Sequence, residues 1–160
     1  MNDVEFMARC IKLAEKAYQG GDMPFGCLIV KENKVLVEAE NQVLRNSDVT
    51  SHAEILAMKD AQRRLRTTDF SMCDIYCSFE PCAMCSLMIR ELRFKRVLFS
   101  LLFPVVGGYS KYKILQDKQL NSKFPNHFGP VPKILHGILS KSAWGVWEER
   151  EKSKKLLKFD

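Results

Sequence analysis

Apolar positions recur at helical spacing at Val4, Met7, Ile11, Ala14 and Tyr18, and Gly20-Gly21 closes the pattern, which predicts an amphipathic first helix. A short apolar run from Phe25 to Val30 reads as a buried strand. The turn residues of 31–34 and the alternation of Val35, Val37 and Ala39 turn it into a hairpin. A polar loop from Asn41 to Ser51 leads into a helix over His52–Leu65, carried by Ile55, Met58, Ala61 and Leu65. Asp74–Phe79 reads as a strand with Ile75, Cys77 and Phe79 on one face. Pro81 opens a helix to about Leu92, because proline suits a first turn, and Arg96–Phe103 is a further apolar strand. Glycines and prolines make 104–132 irregular, apart from a short helix near Lys111–Leu120. Lys133–Gly137 is a last strand, and Ser140 caps a final helix bearing Ala143, Trp144 and Trp147. This order predicts an α/β fold of three layers, α/β/α, around a five-stranded mixed sheet. Its first pair is antiparallel and its later neighbours, joined by β-α-β crossovers, are parallel.

Length adds that the 160 residues form one domain, 1–160, large enough to fold without staples. No apolar run approaches the ~20 residues of a membrane span. The N-terminus carries Asp3 and Glu5 where a secretory signal would be basic and then apolar, so the expected location is cytoplasmic. Six cysteines are too few for a disulfide scaffold, which leaves metal binding or burial. The net charge of +6 is unevenly placed. Residues 1–110 balance, whereas 111–141 hold Lys111, Lys113, Lys118, Lys123, Lys133 and Lys141 against Asp117 alone. Such a segment suits either an anionic partner or a solvated surface.

Two segments carry candidate chemistry, Ser51-His52-Ala53-Glu54 and Glu80-Pro81-Cys82-Ala83-Met84-Cys85, each at a predicted helix start. Cysteines three apart on one turn can present both thiols to one side, and the helix N-terminus favours their thiolates. Two thiolates and an imidazole make a three-ligand zinc site whose fourth position is left for water. Zinc lowers the pKa of such a water toward ~7. A carboxylate that does not ligate the metal can then move the proton, and Glu54 is the candidate. Other readings remain open. Cys-x-x-Cys also occurs as a buried pair, a redox motif or half of a structural zinc site. Ser51-x-x-Glu54 also matches a helix capping box. His52 alone also fits a polar residue at a helix end.

His52-Ala53-Glu54 followed by Pro81-Cys82-Ala83-Met84-Cys85 resembles the zinc-dependent cytidine-deaminase-like superfamily, whose motif is His-x-Glu and Pro-Cys-x-x-Cys. Within it the chain looks similar to the branch of tRNA adenosine deaminases, bacterial guanine deaminases and yeast-type cytosine deaminases. The resemblance implies Zn2+ held by His52, Cys82 and Cys85, and Glu54 as the proton carrier. It implies Asn41 as a substrate-binding residue, although Asn41 also suits the end of a hairpin. Phe25 would lie beside the substrate ring, although it also suits core. The implied reaction is hydrolytic deamination of the exocyclic amine of a nucleobase or nucleoside, with release of ammonia.

Pro24-Phe25-Gly26 looks like the guanine-deaminase form of this strand start, and Gly107–Asp117 departs from the short glycine-serine stretch of the tRNA enzymes. Asn126-His127 and Gly137-Ile138-Leu139 look like the tRNA branch. The sequence therefore points first to a small base or nucleoside and second to tRNA adenosine, with a non-catalytic zinc-binding module as a further alternative. The resemblance also implies a homodimer, for which Leu87-Met88-Ile89 offers a contact surface.

Overall fold

The computed structural model describes residues 1–156, so the last four residues of the predicted 1–160 domain lie outside the described residues. Helix α1 spans Asp3–Gln19 and opens on a capping box. The Asn2 side chain accepts from the Glu5 N–H while the Glu5 carboxylate accepts from the Asn2 N–H. Strands β1 (Gly26–Lys31) and β2 (Lys34–Glu40) form the expected hairpin. There follow α2 (Val43–Asn46), α3 (Ala53–Leu65), β3 (Cys73–Phe79), α4 (Ala83–Glu91) and β4 (Arg96–Leu101). A 3-10 turn at Ile114–Gln116, α5 (Lys118–Lys123), β5 (Lys133–His136) and α6 (Ser140–Leu156) complete the described chain.

The sheet order is β2-β1-β3-β4-β5. Strand β1 pairs antiparallel with both β2 and β3, and β3-β4-β5 run parallel. This is the five-stranded mixed sheet that the element order predicts. Successive side chains of β1, β3 and β4 alternate between two buried faces, which explains the apolar runs of β1 and β4. Cys27, Ile29, Ile75, Cys77, Val97 and Phe99 join the core under α3 and α4. Leu28, Val30, Tyr76 and Leu98 join the core under α1 and α6. Both faces are thus covered, as parallel strands require. Gly26 permits the close seating of α1, since a Cβ there would lie 2.3 Å from the Cys10 carbonyl oxygen.

Several element boundaries differ from the pattern. The polar 41–51 loop contains the one-turn α2, whose residues show no apolar periodicity to announce it. Pro81 lies outside α4, because Cys82 takes the N-cap position. The helix expected near 111–120 is split, with Asp117 in extended backbone and its side chain accepting from the Gln119 N–H to start α5. Ser140 is the first residue of α6 rather than its cap. The irregular 104–132 segment is held by Arg90, a fully buried side chain that donates to the carbonyls of Ile114, Asp117 and Gly129. Ile89 is core, so of the expected contact surface only Leu87 is exposed and Met88 is half-buried.

Candidate active site

The N-termini of α3 and α4 meet at the carboxyl end of β3, where open α/β sheets place their ligand sites. His52 is the N-cap residue of α3 and Cys82 that of α4. Neither side chain caps its own helix. They turn instead toward each other: His52 Nδ1 lies 3.7 Å from Cys82 Sγ and 3.6 Å from Cys85 Sγ, and the two sulfurs are 3.6 Å apart. Zinc bonds of about 2.3 Å to sulfur and about 2.0 Å to nitrogen at tetrahedral angles put ligand atoms about 3.5–3.8 Å apart. The spacing of the three donors therefore fits zinc. Among the described residues they form the one metal-holding group of His, Cys, Asp and Glu side chains.

The charges agree with a cation between them. The Cys85 thiol and His52 pull the Cys82 thiol down to about 4 against its burial, which holds it as a thiolate. Contact with that thiolate, and burial, hold Cys85 well above the usual thiol range. Cys82 in turn raises His52. Both sulfurs become anionic together only when a positive ion compensates them, and the two helix N-termini add to that field. Glu54, almost fully buried in the first turn of α3, has its carboxyl pushed up to about 7 by burial and by the charge of Cys82.

Glu54 is not a helix cap. With His52 at the N-cap, the Ser51 hydroxyl accepts from Asn46 and donates to Asp48 instead of closing a capping box. The capping-box alternative therefore fails, because Glu54 sits one residue too early for it. Half of a structural zinc site fails as well, since no fourth protein donor joins the three among the described residues.

Above the triad lies a small cavity of about 90 Å³, lined by Phe25, His52, Glu54, Phe79, Glu80, Cys82, Phe103 and Val106. Phe25, which just precedes β1, meets Phe79 edge-on with ring centres 5.2 Å apart. Trp147 of α6 packs on Phe25, Phe79 and Phe103, and the Arg150 guanidinium lies over its ring. The walls are mostly aromatic, and the polar lining consists of His52, Glu54, Glu80 and Cys82.

The structure brings His52, Glu54, Cys82 and Cys85 together, with Phe25 at the wall. Asn41 is not among the residues lining the cavity. It is buried behind Phe25, whose carbonyl accepts its N–H at 2.9 Å, and its side-chain amide donates to Asp22. Sequence reasoning missed Phe79, Glu80, Phe103 and Val106 as wall residues. The signal for two of them was position alone: Phe79 ends β3 and Phe103 follows β4, at the carboxyl ends of parallel strands.

Residues 1–101 match the family described as "Cytidine and deoxycytidylate deaminase zinc-binding region". The chain is 37% identical over 127 residues to the tRNA-specific adenosine deaminase of Aquifex aeolicus (strain VF5), covering 79% of this chain and 84% of that one. It is 40% identical over 100 residues to a probable cytosine deaminase of Schizosaccharomyces pombe, covering 62% and 60% of the two chains. A structure from a study of A-to-I editing by tRNA:A34 deaminases superposes with a TM-score of 0.78 at 24% identity, over 89% of this chain and 98% of that chain. The chain belongs to the cytidine and deoxycytidylate deaminase zinc-binding family. It is a zinc-dependent deaminase, a hydrolase of C–N bonds, with His52, Cys82 and Cys85 able to hold the metal.

Proposed function

We propose that this deaminase converts adenosine in tRNA to inosine, with release of ammonia. The observation that carries the chemistry is the buried Glu54 carboxyl beside the His52–Cys82–Cys85 triad at the cavity floor. The tRNA substrate is supported by the Aquifex relative, which aligns over most of both chains. It revises the order that the sequence suggested. That order rested on the departure of Gly107–Asp117, a loop that buries Gly107, Gly108 and Leu115 and presents Lys111, Tyr112 and Lys113 to solvent, where the lysines can meet RNA phosphates.

Zinc held by His52, Cys82 and Cys85 would supply the Lewis acidity that lets water act as a nucleophile at neutral pH. Glu54 takes the proton of the attacking water on its carboxylate. It delivers that proton to the ring nitrogen next to the amine-bearing carbon, then takes the proton of the added hydroxyl and passes it to the amine, which leaves as ammonia while the C=O bond forms. Phe25, Phe79, Phe103 and Val106 hold the base in plane and exclude water. Asn41 lies outside the cavity that takes the base; with its Nδ2 engaged by Asp22, its Oδ1 is left to accept from the part of the substrate beyond the base.

The small apolar cavity and the S. pombe relative favour a second reading, a free base. Incubation with an anticodon stem-loop RNA and, separately, with free bases and nucleosides decides between them. The first reading expects inosine in the RNA and no ammonia from the small compounds; the second expects the reverse.

We further propose a homodimer through α4, where Met84 and Leu87 are exposed, and a cytoplasmic location, which suits the six free thiols. Among the described residues no helix is long and apolar enough to cross a membrane.

A further inference from the structure

Glu80 directly precedes the Pro81-Cys82 pair and is 3% exposed, yet among the described residues it forms no ion pair. Its partners all come from the loop after β4. Phe103 N–H donates to Oε2 at 2.7 Å and the Ser110 hydroxyl to the same oxygen at 2.7 Å. Tyr109 N–H donates to Oε1 at 2.9 Å, and the Ser110 N–H reaches that oxygen too. Each oxygen thus faces two donors, so neither position tolerates an NH2 group. Gly107 packs against the carboxylate, and a Cβ there would lie 2.1 Å from Oε1. Backbone bonds lace the same loop to the ligand segment: Gly108 N–H to the Pro81 carbonyl at 2.8 Å and Ala83 N–H to the Val106 carbonyl at 3.1 Å. Cys82 and Gly107 form a bridge between the two segments.

Phe103 and Val106 of this loop are cavity walls. We propose that Glu80 is a positioning residue: its carboxylate gathers the 103–110 loop into a fixed wall registered to Cys82, so that the substrate base meets a preformed slot. A buried carboxylate satisfied by four donors is a rigid hub, because losing it strands several N–H groups away from water. A wall preformed in this way spares the substrate the ordering of the loop on binding. The inference rests on the deaminase reading of the cavity, and it assigns Glu80 no contact with the reacting atoms.

The test compares wild type with Glu80→Gln and the milder Ser110→Ala, which removes one of the four bonds. Zinc content, trypsin cleavage after Lys111 or Lys113, and KM and kcat on an anticodon stem-loop RNA are measured. Glu80→Gln is expected to keep about one zinc per chain, to be cleaved about 10-fold faster or more, and to raise KM about 10-fold with a smaller change in kcat. Ser110→Ala should shift the same quantities in the same direction by less. Unchanged cleavage and KM in Glu80→Gln would overturn the inference. So would loss of zinc in parallel with loosening of the loop, which would make the carboxylate a support of the ligand segment. If wild type leaves RNA untouched, the tRNA reading fails by itself. The cleavage and zinc measurements, with KM taken on whichever base is deaminated, still decide the role of Glu80.

Discussion

Arg45 holds the buried carboxylate of Asp22 twice, through its guanidinium Nε at 3.0 Å and through its own backbone N–H at 3.2 Å. The same guanidinium reaches Glu40 and the Asn41 carbonyl, so the chain leaving β2 is fixed from both sides. Burial opposes ionisation of Asp22, but the Leu44 and Arg45 amides and the Arg45 guanidinium outweigh it and lower its pKa. For Glu40, Lys16 and Arg45 likewise outweigh burial. A carboxyl whose pKa is lowered by folding stabilises the fold above its unfolded value, and that contribution is lost as pH falls through the folded value. The melting-temperature deficit of Arg45→Met against wild type should therefore be full at pH 7 and shrink as pH drops below about 4. Melting curves of both proteins across this range check it. A deficit that stays constant or grows in acid contradicts it.

Asn41 depends on this cluster for its orientation. With Nδ2 given to Asp22, its Oδ1 makes no hydrogen bond among the described residues and can accept one from a substrate N–H or O–H. Asn41→Ala should lower kcat/KM about 10-fold, since one hydrogen bond to substrate is worth about 1 kcal/mol and a stranded partner adds to the loss. Steady-state kinetics at a temperature where the variant stays folded measure this. Unchanged kcat/KM would return Asn41 to a purely structural role.

Zinc should be present at about one ion per chain, and Cys85→Ala should abolish it. Acid should release it from the wild type, because the thiolates and imidazole must be deprotonated to bind. Elemental analysis reads all three, and zinc retained at full stoichiometry in Cys85→Ala would contradict the assigned ligands.

The lysines of the loop after β4 and of α5 are exposed. Changing Lys111, Lys113, Lys118 and Lys123 together to Gln should raise KM for an anticodon stem-loop. It should also flatten the dependence of binding on salt by about 0.7–0.9 for each phosphate that is no longer neutralised. Equal salt slopes for the two proteins would leave these lysines as solvated surface.

The zinc motif was legible because its members are sequence neighbours placed by two helix starts: His52 and Glu54 on one, Cys82 and Cys85 on the other. The strands were legible because β1 and β4 carry short apolar runs buried on both faces and β3 sets Ile75, Cys77 and Phe79 on one face. Glu80 adjoins the motif yet shows no role in the sequence, because its partners lie 23 to 30 residues further on in a loop without periodicity. Asp22 gave no signal for the same reason, since its bonds to Asn41 and Arg45 span 19 and 23 residues. Arg90 reads as a charge on an amphipathic helix, and only the fold reveals that three loop carbonyls draw it inside. Substrate choice depended on Gly107–Asp117, where departure from a family pattern marks a differently packed loop as readily as a changed substrate.

Deamination at this site turns on Glu54 as the proton carrier, and Glu54→Gln tests that role most directly. The amide keeps the size of the side chain but cannot hold or pass the proton. The variant should bind zinc and melt as wild type does, while its turnover falls by about 10²–10⁴-fold or more. Turnover near the wild-type rate in a zinc-loaded, folded Glu54→Gln would contradict the mechanism.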